Sequence, residues 1–327
     1  MKVPTGREDI ARLFENCLAS EKLAQSYIIH GESGMGKKTV MNYILSLIMC
    51  DTHSSCDSCM SCKSLKSGAH PDVILLKRSE DKASIGVDRV RAVLNEVYIR
   101  PAIAGYKAVV VHEAHLLTAE AQNAMLKIIE EPPVKVVFFL LCDSLAPILQ
   151  TIQSRSVTIK LKPLSKEELK EISKDSPGDF ELRYCMGNPG KLISLLSDEE
   201  FLAFRDEVID RFSRALLSDE STACEAIQYF EKNKDNRDEV FSVILSFVRD
   251  VLYKKLGMDS LLINRDKINY INAFKDKSSA KAFCKIMQMI LNTQMQKGKN
   301  GSYAMAISVI LFRCREEING RSNRHTL

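Results

Sequence analysis

The chain has 327 residues, of which 45% are hydrophobic and 27% charged, and its formal net charge at pH 7 is only +4. That length predicts two or three domains, and the composition is typical of a globular protein rather than a disordered or fibrous one. A charge so close to zero does not by itself indicate nucleic-acid binding. No apolar run approaches the roughly 20 residues of a membrane span, and the polar N-terminus has no signal-peptide pattern, so we expect a cytoplasmic protein with no membrane partner.

The first strong pattern is a short apolar strand followed by a glycine-rich loop. An amphipathic helix is predicted over residues 5–24, a buried strand over 26–30 and a second helix over 40–50. The loop fits the phosphate-binding pattern G-x-x-x-x-G-K, in which glycines let backbone N–H groups turn toward a phosphate at a helix N-terminus. The candidate nucleotide-binding residues in this loop are Gly31, Gly34, Gly36, Lys37, Lys38 and Thr39.

The residues that would hold Mg²⁺ beside such a loop are incomplete. A Ser or Thr is expected directly after the lysine, but Lys38 stands there and Thr39 comes one position late. The strand predicted at 106–111 ends in His112 and Glu113, where an Asp is expected, and His is a poor ligand for Mg²⁺. Asp143 follows the next strand at a position where a neutral γ-phosphate sensor is expected; it would repel phosphate there, or it is an ordinary exposed carboxylate. We therefore expect weak or no ATP or ADP binding, no Mg²⁺, and an ATPase activity that is absent or very weak.

Four of the ten cysteines crowd into one short segment. Cys50, Cys56, Cys59 and Cys62 lie within 13 residues, and the C-x2-C spacing places two sulfurs on one ion through a tight turn. Four thiolates leave no open coordination position, so we predict a structural Zn²⁺ in a module at about 50–70. The alternatives are four free surface thiols, which are an oxidation hazard, or a disulfide, which a reducing compartment disfavours.

The rest of the chain changes from alternating strands and helices to helices alone. Further strands are predicted at 70–76, 134–142 and 157–161, and a helix capped by Thr118 at 119–131. Ser165 and Glu168 form a capping-box pattern that opens a small helical region. From about residue 204 nearly all of the chain has helical periodicity. The fold class is therefore α/β plus all-α, with a parallel sheet in the N-terminal half.

These features occur in an order that resembles the AAA+ subunits of bacterial clamp loaders, over essentially the whole chain. They are the phosphate loop, the four-cysteine insert followed by His70-Pro71-Asp72, the helix ending in Leu126-Lys-Ile-Ile-Glu-Glu-Pro-Pro133, and Ser154-Arg155. The family includes the ATP-hydrolysing tau/gamma class and the delta-prime class, the stator, which does not power the cycle. The two lost Mg²⁺ contacts favour the delta-prime class.

The resemblance implies three domains: an AAA+ nucleotide-binding-like domain over 1–164, a helical lid over 165–203 and a collar for oligomerisation over 204–327. It implies that Arg155, in a motif begun by Ser154, reaches a neighbour's ATP as an arginine finger in trans. Ser156 replaces the Cys that usually ends this motif. Lys191 would occupy the second sensor position of the lid, although a solvated lysine explains it equally well, and Glu113 would be the remaining acidic residue of the nucleotide site.

The resemblance also implies partners. The expected assembly is a hetero-pentamer with tau/gamma and delta subunits, which loads a sliding clamp onto primer–template DNA. Two other hypotheses stay open: an active tau/gamma-like ATPase, and a zinc-dependent DNA-binding module with a vestigial NTPase fold.

Overall fold

The computed structural model describes residues 1–173, 175–295 and 303–319, apart from the side chains of 295 and 319. The chain divides into two compact units. The first comprises Met1–Lys174 and Met186–Ile193, and the second comprises Asp175–Cys185 and Ser194–Leu327. Residues of the expected lid are thus shared between the two units, and the three-domain division stays a prediction.

The first unit is built on a five-stranded parallel sheet with the strand order β2-β3-β4-β1-β5. The strands are β1 (Ser26–His30), β2 (Val73–Leu76), β3 (Lys107–Val111), β4 (Val136–Cys142) and β5 (Val157–Lys160). The central strands β3 and β4 are buried along their whole length. Their nearly continuous apolar sequences suit a sheet covered on both faces.

The helices of the first unit precede, separate and follow these strands. They are α1 (Glu8–Ala19), α2 (Lys37–Ile48), α3 (Met60–Lys66), α4 (Val87–Val97), α5 (Ala119–Glu130), α6 (Gln150–Gln153) and α7 (Lys166–Ile172). The short helix α8 (Asp179–Tyr184) belongs to the second unit, and α9 (Pro189–Leu196) begins in the first unit and ends in the second.

Two apolar cores flank the sheet because alternate strand residues face opposite sides. On one side, α1 and α2 pack against residues that include Tyr27, Val110 and Phe139. On the other side, α4 and α5 pack against residues that include Val109 and Phe138. The predicted parallel sheet covered by helices is confirmed. Its ligand-binding edge is the one at which the strands' carboxyl ends meet, as in other open α/β sheets.

Several predicted boundaries shift. The strand expected from His70 begins only at Val73, because His70-Pro71-Asp72 forms a hydrogen-bonded turn instead. The second helix begins at Lys37 rather than residue 40, directly after the glycine loop. The Thr118 cap and the capping box of Ser165 with Glu168 are both present as predicted.

The second unit is helical in the residues that the structure describes. Its longer helices are α10 (Phe201–Leu217), α11 (Glu220–Lys232), α12 (Arg237–Lys255), α13 (Ile268–Lys275), α14 (Ala280–Met295) and α15 (Tyr303–Asn319). They share one core, in which Phe247 meets both Phe212 and Phe274 edge to face. This geometry suits the quadrupoles of aromatic rings.

Candidate functional site

The glycine loop lies between the end of β1 and the start of α2, as the sequence predicts. Gly34 and Gly36 have φ values of 86° and 82°, in the left-handed region that glycine adopts without steric cost. Gly36 is the residue that precedes the first turn of α2, and the Gly31 N–H donates to Cys142 O on β4 at 3.2 Å. The loop is therefore tied to the sheet edge at which parallel α/β proteins bind their ligands.

The loop lysine is already fully engaged. Lys37 Nζ donates to Gly31 O at 2.6 Å and to Glu32 O at 3.0 Å, and it forms an ion pair with Asp143 Oδ1 at 2.6 Å. An ammonium group has three donors, so these three acceptors use all of its hydrogen-bonding capacity. Asp143 thus neutralises the very charge that would otherwise bind a nucleotide phosphate.

A second segment of the first unit packs against the same loop. Asn188 Nδ2 donates to Ser33 O at 2.8 Å, and the Gly190 N–H donates to Gly34 O at 2.9 Å. The approach is so close that a Cβ atom on Gly190 would lie 2.5 Å from Gly34 Cα. Only the tertiary structure places residues 187–190 on the phosphate loop. The carbonyls of Ser33 and Gly34 are therefore satisfied within the protein.

Lys191, the expected second sensor, lies next to this contact. Its backbone N–H donates to Asn188 Oδ1 at 3.1 Å, and its side chain is exposed. Its role at the nucleotide site stays a prediction.

The Mg²⁺ positions do not form an oxygen-ligand set. Lys38 and Thr39 are exposed on the first turn of α2, and Glu113 is exposed with a left-handed φ of 54°. Burial is the main reason that the pKa of His112 lies below its usual value, and the positive charges of Lys38 and Lys77 lower it further. The positive charges of Lys38 and Lys77 near His112 would oppose a dication, and imidazole is a ligand that Mg²⁺ does not prefer, so these residues do not fit Mg²⁺.

Arg155 lies just after the short helix α6, and its side chain is held on the surface of its own unit. Its Nε lies 2.8 Å from Glu130 Oε1, in an ion pair. Its Nη1 donates to Thr151 O at 3.1 Å and to Ser154 Oγ at 3.3 Å. The Arg155 side chain is nonetheless 42% exposed, so it is accessible to a neighbouring molecule.

Two residues of α5 that the sequence pattern did not indicate organise this region. Gln122 is buried; its Nε2 donates to Pro147 O at 2.9 Å, and its Oε1 accepts the Leu149 N–H at 2.8 Å. Glu130, at the end of the same helix, meets Arg155. A polar residue on the apolar side of a helical pattern was the available signal for Gln122. Nothing local in the sequence links Glu130 to Arg155.

The four cysteines converge on one point. Sulfur atoms of Cys50, Cys56, Cys59 and Cys62 all lie within 4.8 Å of one another, so the group could hold a metal ion. The backbone N–H groups of Cys56, Cys59 and Cys62 each point to the preceding cysteine sulfur of the set, at 3.4–3.5 Å. Such donors stabilise thiolate charge. His53, by contrast, donates through Nδ1 to Leu47 O at 3.0 Å.

The thiols are chemically unequal without a metal. Burial alone would raise the pKa of Cys50, but hydrogen bonds from Cys56 N–H and Thr52 outweigh it and lower the pKa to about 5. Hydrogen bonds from Ser58 and Cys59 N–H lower the pKa of Cys56. Burial raises the pKa of Cys62. Four sulfurs with two readily ionised members fit a soft, thiophilic cation such as Zn²⁺.

The turn after the cysteine module organises a distant loop. Asp72 is buried, and its carboxylate accepts the N–H groups of Ala102, Ile103 and Ala104 at 2.5–2.8 Å. His70 Nδ1 accepts the Asp72 N–H at 3.1 Å. His70 therefore orders its loop through a hydrogen bond to the backbone, and it is not among the cysteine-cluster residues that could hold a metal ion.

No helix in the described part of the chain is long and apolar enough to cross a membrane. The family model described as "DNA polymerase III, delta subunit" matches residues 6–165. The model described as "DNA polymerase III, delta subunit, C terminal" matches residues 199–303. Together the two matches span both structural units.

Three similar proteins show how the likeness is distributed. DNA polymerase III subunit delta' of Bacillus subtilis is 26% identical over 302 residues, covering 89% of this chain and 91% of its own. Subunit delta' of Haemophilus influenzae is 29% identical over 291 residues, covering 86% of each chain. Subunit tau of Bacillus subtilis is 29% identical over 167 residues, covering 50% of this chain and 29% of its own. Among these three, the delta' subunits match along most of their length, whereas tau matches only in part.

Proposed function

The chain belongs to the delta' family of DNA polymerase III subunits, and on that premise we propose that it acts in a clamp loader without hydrolysing ATP itself. One observation carries the choice against a motor subunit: the ion pair of Lys37 with Asp143 occupies the phosphate-loop lysine. The cationic and imidazole side chains at Lys38 and His112 agree with it, since neither is a ligand that Mg²⁺ prefers. Nucleotide binding by this loop is accordingly weak or absent.

The active group is then Arg155. Hydrolysis of a nucleoside triphosphate spreads negative charge over the γ-phosphate oxygens, and a guanidinium supplied by a neighbouring subunit stabilises that charge. Arg155 is exposed and preceded by Ser154, whose Oγ accepts one of its hydrogen bonds. We assign it the role of an arginine finger toward the ATP of an adjacent subunit.

The proposed assembly is a hetero-pentamer with tau/gamma and delta subunits. The helical residues from 204 onward serve as the collar that holds this chain in the ring, and residues 165–203 serve as a lid that no longer needs to follow a nucleotide. The complex, in the cytoplasm, opens a sliding clamp and places it on primer–template DNA. These assignments rest on family membership.

The cysteine cluster holds Zn²⁺ in this proposal. Cys50, Cys56, Cys59 and Cys62 would complete a tetrahedral set with no open position, so the ion supplies structural stability and no catalysis. Cys50 lies two residues after the end of α2, and Cys62 lies in α3. The ion would therefore link these two helices.

Reconstitution with candidate tau/gamma and delta subunits tests the function. We expect no Mg²⁺-dependent ATP turnover by the isolated chain. The chain should stimulate turnover in the complex, and Arg155→Ala should lower that stimulation and clamp loading at least about tenfold. Arg91→Ala, which removes another exposed arginine, is the matched control. Normal stimulation by Arg155→Ala would overturn the assignment.

Two other outcomes identify the competing hypotheses. Turnover by the isolated chain that Lys37→Ala abolishes would identify an active ATPase of the tau/gamma kind. Tight, salt-sensitive DNA binding by the isolated chain at about 50 mM salt would identify a DNA-binding module.

A further inference from the structure

Two of the three nitrogens of the Arg155 guanidinium are engaged by residues of the same unit. Nε pairs with Glu130 Oε1 at 2.8 Å, and Nη1 donates to Thr151 O and Ser154 Oγ. Nη2 makes no hydrogen bond to any residue in the described part of the chain. A planar group anchored through two of its nitrogens is left with its third nitrogen as the available donor edge.

The backbone beneath Arg155 is fixed independently of Glu130. Ser156 Oγ lies 2.8 Å from Ser26 Oγ on β1 and donates to Ile152 O at 2.8 Å. The Arg155 N–H also donates to Ile152 O, at 3.2 Å. The base of the side chain is therefore attached to the sheet and to α6, and only its far end depends on α5.

Building on the proposed function of Arg155, we propose that Glu130 is a positioning residue that orients the guanidinium toward the neighbour's nucleotide. Glu130 is the last residue of α5 and Thr151 belongs to α6, so the head group is held by two separate elements. An arginine side chain has many rotamers, and fixing one before association lowers the entropy that the productive geometry costs.

The exposure of the ion pair indicates that Glu130 positions Arg155 rather than holding it in an inhibited conformation. Arg155 is 42% and Glu130 45% exposed, and ion pairs of this kind are weak and screened by salt. Such a pair restrains the guanidinium but yields readily when a phosphate, with more charge, approaches. A contact strong enough to inhibit Arg155 would need a buried, desolvated partner.

Glu130→Ala and Glu130→Gln test this in the reconstituted complex. We expect kcat of the stimulated ATP turnover to fall about tenfold in Glu130→Ala, because small displacements of a catalytic group are costly, with KM for ATP unchanged. Glu130→Gln keeps an acceptor oxygen and should lose less. Glu131→Gln changes the adjacent exposed carboxylate and should match the wild type. The melting temperature of each isolated variant should change by less than about 3 °C.

The outcomes separate this inference from the proposed function. If Arg155→Ala abolishes stimulation while both Glu130 variants behave as wild type, Arg155 acts in trans and Glu130 does not position it. A rise in kcat for Glu130→Ala would also overturn the inference, because it would show that Glu130 withholds the finger. If Arg155→Ala itself has no effect, the proposed function of Arg155 is wrong, and the inference about Glu130 is wrong with it. The inference is supported if kcat falls in the Glu130 variants but not in Glu131→Gln, and falls more in Glu130→Ala than in Glu130→Gln.

Discussion

Lys37 and Asp143 stand 106 positions apart in the chain, yet Lys37 Nζ lies 2.6 Å from Asp143 Oδ1 at the mouth of the phosphate loop. The pair joins the start of α2 to the residue that follows β4. A lysine that normally meets β- and γ-phosphates is thereby neutralised within the protein. The loop keeps its backbone shape while its principal charge is used internally.

The first prediction concerns nucleotide affinity. Asp143→Asn removes the carboxylate that competes for Lys37, so binding of a fluorescent ATP analogue should strengthen about two- to fivefold, the range expected for a partly exposed ion pair. Hydrolysis should stay absent, because Lys38 and His112 still occupy the Mg²⁺ positions. Equilibrium titration measures the affinity.

Asp88→Asn serves as the control for this titration. It makes the same change of charge at an exposed residue of α4 and should leave the affinity as in the wild type. Equal affinities for Asp143→Asn and wild type would show that Asp143 does not compete with phosphate.

The second prediction concerns the close contact on the phosphate loop. A Cβ atom on Gly190 would lie 2.5 Å from Gly34 Cα and 2.8 Å from Gly34 O, and both of these are backbone atoms that cannot rotate away. Gly190→Ala should therefore lower the free energy of unfolding by about 1–3 kcal/mol. Urea denaturation measures the change. Gly105→Ala adds a methyl group into open space and should have little effect. If Gly190→Ala were as stable as the wild type, the backbone contact between Gly190 and Gly34 would be able to widen without a loss of stability, and the prediction would be wrong.

The third prediction concerns acid stability. Burial alone would raise the pKa of Asp72, but hydrogen bonds from the N–H groups of residues 102–104 outweigh it and hold the pKa below its ordinary value. The unfolded chain therefore takes up this proton before the folded chain does. The stabilisation is complete well above the unfolded pKa of about 3.9 and is lost as the pH falls through the lower folded value.

Asp72→Asn tests this contribution. An amide oxygen cannot replace both carboxylate oxygens, so the variant should lose about 3 kcal/mol of stability near neutral pH and should show less additional loss than the wild type in acid. Unfolding by urea at a series of pH values measures both effects. Asp81→Asn, at an exposed position, is the control. Parallel pH profiles for Asp72→Asn and wild type would refute the assignment.

The fourth prediction concerns the metal. Purified protein should contain about one Zn²⁺ per chain, and Cys59→Ser should lower that content because three thiolates bind the ion less tightly than four. Since binding requires deprotonated thiols, zinc retention should also weaken as the pH falls. Elemental analysis measures the content, and Cys224→Ser, at an exposed cysteine outside the cluster, should retain the ion. If the protein contained no zinc after reduction and addition of zinc, the assignment of a zinc site would be wrong.

The local part of this molecule could be predicted from its sequence. The glycine pattern located the turn from β1 to α2, because only glycine takes the φ values of Gly34 and Gly36 without strain. Cysteine spacing identified a set of sulfurs that the structure does bring together. Apolar runs located all five strands. The predicted β2 was three residues too long at its start, because residues 70–72 form a turn before the strand.

The contacts that set the properties of the sites were decided only by the tertiary structure. Lys37 with Asp143, Gly190 with Gly34 and Arg155 with Glu130 each join residues on different elements, and the sheet order that makes them neighbours leaves no trace in local periodicity. Hydrophobic patterns report which face of an element is buried, but not which polar side chains meet across the edge of the sheet. The sequence thus determined that this chain has a phosphate loop, and the tertiary structure decided that the loop's lysine is held by a carboxylate of the same chain.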